Sequence, residues 1–150
     1  MVGAAPWSVF AIPNYAQADV GTDHRIRFGV PIIGCPDYLS LMEHRADQQG
    51  ILLDAPHFPE AFRELVKHYD PIFSRYASRD PQMNPFIGKR VLVLCGQCDE
   101  LVPWSASRTF VEDLEVGDDG VKEVKVYAKV GHVRTPEMED DACLFVRRFL

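Results

Sequence analysis

Val91-Leu92-Val93-Leu94-Cys95-Gly96-Gln97-Cys98-Asp99-Glu100-Leu101-Val102-Pro103 is the stretch on which the reading of this chain turns. It opens with four apolar residues, too few for a helix and rich in valine, which predicts a strand buried on both faces. Gly96 ends the run, Asp99 falls in the turn that follows, and Pro103 marks the start of a new element. An acid at the carboxyl end of a buried strand stands where open α/β sheets keep their chemistry.

Working downstream, Phe110, Val111 and Leu114 recur at helical spacing and predict a helix over 104–114. Gly117-Asp118-Asp119-Gly120 is a loop, and residues 121–130 then alternate. The alternation sets Val124, Val126, Ala128 and Val130 on the expected buried face, with Glu123, Lys125, Tyr127 and Lys129 opposite. That pattern predicts a half-buried strand at a sheet edge. Thr135-Pro136-Glu137 supplies a cap, a first-turn proline and a first-turn acid for a last helix. Met138, Ala142, Phe145, Val146 and Phe149 are its expected buried face.

Upstream, Gly29 to Gly34 is a further strand, which Pro31 restricts to a strand start or a sheet edge. Leu39, Met42 and Ala46 predict a helix over 38–49 that Gly50 stops. Phe58-Pro59-Glu60 opens another, with Ala61, Phe62, Leu65, Val66 and Tyr69 along one face. Asp70-Pro71 starts a short helix, and residues 79–85 are polar loop. Residues 1–25 show no sustained period and read as an irregular segment. Alternating strands and helices imply an α/β fold: a small parallel sheet of about three strands, flanked by helices, in one domain over 1–150.

Composition narrows the partners. A net charge of −6 and a pI near 5.3 argue against nucleic acid and against an anionic membrane surface. No apolar run approaches the ~20 residues that span a bilayer. Ala16-Gln17-Ala18 has the form of a signal-cleavage site, but Pro6 and Pro13 interrupt the preceding stretch and no basic leader precedes it. A cytoplasmic chain with four free thiols is the expectation.

The spacing G-x-x-D-x-x-V-P from Gly96 to Pro103, with Gly131-His132 further on, resembles the acid and histidine segments of α/β-hydrolases. The resemblance covers roughly residues 29–150 and keeps that family's order of acid then histidine. It implies that Gly29 to Gly34 is the sixth strand of the fold, that Asp99 follows the seventh and that His132 follows the eighth. Residues 38–85 then form a helical, cap-like insertion. Asp99 and His132 are the implied catalytic residues, the acid orienting a general-base imidazole, and the two are expected within hydrogen-bond reach of each other. The implied ancestral activity is hydrolysis of an ester, thioester or amide, with a small acyl compound as substrate and no cofactor.

The departures are equally specific. No G-x-S-x-G occurs, and the family's first five strands have no counterpart among the fewer than thirty residues upstream of Gly29. The domain is therefore expected to be partial and the isolated chain inactive. Ser8 lacks flanking glycines; Cys35 follows a strand but lacks the elbow pattern.

Other readings stand beside this one. Cys95-Gly96-Gln97-Cys98 is a C-x-x-C between a strand and a helix, as in thioredoxin-like redox modules, where Cys95 would be the exposed, reactive thiol. A non-catalytic remnant that binds a partner is the third reading. A metal site is not expected: the remaining Cys35 and Cys143 form no second pair, and His24, His44, His57 and His68 read as surface or loop residues. With no fifth strand in view, the edge over Val30 to Ile33 is expected to promote self-association unless Trp7, Phe10 and Ile12 fold back over it.

Overall fold

The structure, a computed structural model, describes residues 25–54 and 56–150. Strand β2 (Arg90–Gly96) lies at the centre of a three-stranded parallel sheet, between β1 (Phe28–Gly29) and β3 (Val121–Tyr127). Its side chains alternate between two cores, as the period of two demands. Val91, Val93 and Cys95 face helix α3 (Trp104–Asp113), where they meet Phe110 and Val111. Leu92 and Leu94 face helix α4 (Pro136–Arg147), where they meet Met138, Ala142, Phe145 and Val146. Leu94 is 0% exposed, so the run of apolar residues reflects burial on both faces.

The last helix begins as its sequence dictates. The Thr135 hydroxyl accepts the Met138 N–H, Pro136 occupies the first turn, and Glu137 and Glu139 lie near the positive end of the helix dipole. Helix α1 (Tyr38–Gln48) has a double cap. Asp37 accepts the Ser40 N–H, and Asp70, thirty-odd residues on, accepts those of Tyr38 and Leu39 at 2.8 and 3.2 Å. Helix α2 (Glu60–Tyr69) is followed by a single 3₁₀ turn, Pro71–Phe73, at the position where Asp70-Pro71 announces a short helix.

Three expectations need correction. The strand foreseen from Gly29 to Gly34 pairs as a ladder only at Phe28 and Gly29, with one isolated bridge between Ile32 and Leu94. Pro31 has no N–H to donate, and Ile33 takes a left-handed φ of 57°, which breaks the ladder. The strand foreseen to Val130 stops at Tyr127, before a turn in which Lys129 has φ 62°. Its faces are also reversed. Tyr127 is the buried residue, its hydroxyl bonded to Asp141 of α4, whereas Val124 and Val126 are exposed. At this edge α4 covers the face bearing Tyr127, whereas Val124 is no part of the core that α3 makes with β2. Third, the apolar stripe foreseen on α2 buries only Val66, leaving Leu65 and Tyr69 in solvent.

The loop before β2 holds a residue that pattern alone does not single out. Buried Asn84 places its amide nitrogen within hydrogen-bond distance of the Tyr76, Ser78 and Glu115 carbonyls and accepts the Phe86 N–H on its oxygen. One side chain thereby satisfies the backbone of a proline-rich turn that has no ladder of its own. Residues 1–24, including Trp7, Phe10 and Ile12, lie outside the described residues.

Candidate active site

Asp99 and His132 meet at the carboxyl edge of the sheet. Asp99 sits in the turn after β2 and His132 in the turn after β3, and parallel pairing brings both turns to the same end. The Nδ1 of His132 is 3.0 Å from Oδ2 of Asp99. The other carboxyl oxygen, Oδ1, accepts the backbone N–H groups of Leu101 and Val102 at 2.9 and 2.8 Å. Asp99 is 4% exposed, which its three partners offset, whereas the His132 side chain is 40% exposed. A carboxylate only accepts, so the ring proton belongs on Nδ1, leaving Nε2 with a lone pair for an incoming proton.

Backbone bonds hold the two turns in register. The Gln97 N–H donates to the Tyr127 carbonyl at 3.0 Å and the Cys98 N–H to the Val130 carbonyl at 2.8 Å. Gly96 permits that approach. A Cβ at this position would stand 2.5 Å from the Val130 oxygen and 2.6 Å from the Gly131 oxygen. Both are backbone atoms, so no side-chain rotation relieves the clash. The glycine of the G-x-x-D spacing is thus a requirement of close packing between the acid turn and the histidine turn.

The cysteines are placed differently from the redox reading. Cys95 is 5% exposed, on the α3 face of β2, and burial pushes its thiol up to about 12, with the Asp99 charge adding to the shift. A thiol so placed stays protonated and unreactive at neutral pH, while Cys98, its partner in the motif, is the exposed one. The side chain at Cys95 points into the core because it continues the alternation begun at Val91. The sheet is parallel throughout, which also departs from the thioredoxin arrangement. Cys35 is buried as well, its thiol pushed up to about 11 by desolvation while it donates to the Asp37 carbonyl. Neither is an activated nucleophile in this arrangement.

Ser107, which the sequence gives no reason to notice, is buried and donates its hydroxyl to the Gly34 carbonyl at 3.1 Å. It pins α3 to the segment that follows β1. Of the other histidines, His44 and His68 are exposed on α1 and α2 and His57 is exposed in a loop; His24 lies outside the described residues. Among the described residues no three potential metal ligands cluster. No helix among them is long and apolar enough to cross a membrane.

A parallel sheet with helices on both faces, an acid after its central strand and a histidine after the next define an α/β-hydrolase-type fold, in the part that carries the last strands. Solved structures agree. Puromycin hydrolase matches 89% of the chain at a TM-score of 0.56 and 18% identity, using 20% of its own length. Acetyl xylan esterase from Paenibacillus sp. R4 matches 90% at 0.54 and 21% identity, using 42% of its length. An esterase of Pyrococcus furiosus matches 89% at 0.53 and 21% identity, using 48% of its length. The chain therefore spans between a fifth and a half of these proteins. Identity this low speaks for the fold. No protein-family model matches the sequence, and no curated protein matches it significantly.

Proposed function

We propose that this chain carries the acid and the base of an α/β-hydrolase-like enzyme that cleaves an ester, thioester or amide bond. The observation that carries the reading is the 3.0 Å contact between a buried, thrice-bonded Asp99 and a half-exposed His132. In this proposal Asp99 fixes the imidazole tautomer and stabilises the imidazolium, while His132 takes the nucleophile's proton on Nε2. The bond from nucleophile to acyl carbon forms as the leaving group departs with that proton. Water, activated by the same nitrogen, then releases the acid. The hydrolase names of the structural neighbours support the class of reaction and leave the substrate open. Residues 38–85 are the proposed cap over the site.

The proposal assigns no nucleophile within this sequence: no G-x-S-x-G is present, and Cys35 and Cys95 are buried. The 150-residue chain alone is accordingly expected to give no turnover of p-nitrophenyl acetate. In any form of the protein that hydrolyses esters, Asp99→Asn is expected to lower that hydrolysis by about 10⁴-fold, the loss typical when a triad histidine is left in the wrong tautomer. Unchanged hydrolysis by Asp99→Asn, or turnover by the chain alone that vanishes on Cys35→Ala, overturns the assignment.

A further inference from the structure

The open groove between α1 and α2 holds a pocket of about 430 Å³, within the roughly 300–1,000 Å³ typical of small-molecule sites. Met42, Ala46, Ile51, Phe58 and Phe62 form apolar walls. Among these walls stand two groups able to carry positive charge, Arg45 and His57.

Arg45, on α1, lines this groove. One of its guanidinium N–H groups reaches the Leu101 carbonyl at 2.5 Å. No carboxylate pairs with it among the described residues, whereas Arg63 on the opposite helix is paired with Glu43. A guanidinium offers five donors in a planar fork that matches a carboxylate. Half-buried beside apolar walls, its spare donors lose water and gain most from an anion that brings its own apolar surface. Apolar volume together with one cation that no carboxylate pairs with among the described residues describes an amphipathic anion as the occupant.

We infer that this cavity binds an apolar monocarboxylate, its chain against Met42, Phe58 and Phe62 and its carboxylate on Arg45. Leu101, whose carbonyl Arg45 holds, lies two residues from Asp99, so Arg45 links this groove to the turn that carries the acid. An aliphatic acid is also what hydrolysis of an aliphatic ester releases, and in that respect the inference deepens the hydrolase reading. Binding itself does not need the Asp99–His132 pair to be catalytic.

Calorimetric titration of the whole chain with octanoate, below its micellar range, tests this. Saturable binding is expected, with octylammonium failing to compete. Arg45→Met is expected to weaken it at least about tenfold, since a hydrogen bond to a charged group is lost. Ile51→Trp, at an exposed wall position where a larger side chain is tolerated, is expected to weaken it comparably. His132→Asn should leave binding unchanged, which separates this site from the dyad. Absence of saturable binding, equal binding of octylammonium, or indifference to Arg45→Met with the circular dichroism intact overturns the inference. Loss of binding in His132→Asn does so too, by moving the site to the dyad.

Discussion

The sheet and the α1–α2 region place their apolar residues in opposite ways. In the sheet, β2 buries every residue from Val91 to Gly96 between two helices, and the turns at its carboxyl end are held by backbone bonds. In the α1–α2 region Ile51, Leu52, Leu65, Tyr69 and Phe73 are exposed. The difference teaches where each region's shape comes from. Two-sided burial and a parallel ladder fix the dyad turns with little freedom, whereas α1 and α2 pack on each other across an open groove. A region of the second kind is suited to accommodating ligands, and a region of the first kind to holding reacting groups still.

Substitutions test the contrast directly. Leu94→Ala removes a side chain with no exposed surface, and the expected loss is about 3 kcal/mol, from lost transfer energy plus a cavity. Urea unfolding measures it, and a loss below about 1 kcal/mol would mean that the core collapses readily around the gap. Gly96→Ala is expected to cost somewhat less, about 1–3 kcal/mol for an overpacked site, but its signature is local. Pushing the Val130 and Gly131 carbonyls away separates His132 from Asp99, so the imidazole Nδ1–H resonance should weaken or vanish while the rest of the spectrum persists. A Gly96→Ala protein that retains that resonance contradicts the close-packing role given to the glycine.

A pH effect distinguishes the second region. Burial, opposed by the Tyr38 and Leu39 N–H groups and reinforced by Asp37, raises the Asp70 carboxyl to about 6 from 3.8. Its folded value lies above its unfolded one, so its contribution is fully present below pH 3.8 and is lost as pH rises through about 6. Stability attributable to Asp70 therefore falls over that window, and Asp70→Asn should flatten the slope. The charged neighbour that adds to the shift is Asp37. An unchanged slope in Asp70→Asn rules this origin out. The smallest effect belongs to Leu65→Ala on α2. At 58% exposure its removal should change unfolding by no more than about 0.5 kcal/mol. A loss approaching that of Leu94→Ala would erase the contrast between the two regions.

Much of this was legible in the order of residues. The apolar run at Val91–Leu94 announced a doubly covered strand, because only burial on both faces removes the need for alternation. The Thr135-Pro136 cap, the acid after one strand and the histidine after the next were readable because each depends on residues close by in sequence. Three things were not. Which face of β3 is covered depends on how far α3 and α4 reach, so the alternation of Val124 and Val126 predicted the wrong side. Whether Cys95 is reactive depends on its place in the strand's alternation and on the helix above it, which the C-x-x-C spacing does not encode. The partner that caps α1 is Asp70, some thirty residues away, and the donors of Asn84 and Ser107 likewise find carbonyls on distant segments. Local chemistry determined the elements and the candidate pair. Burial, and with it the state of each thiol and the shape of the α1–α2 cavity, was decided by tertiary packing, because exposure to water is a property of everything that surrounds a side chain rather than of its neighbours along the chain.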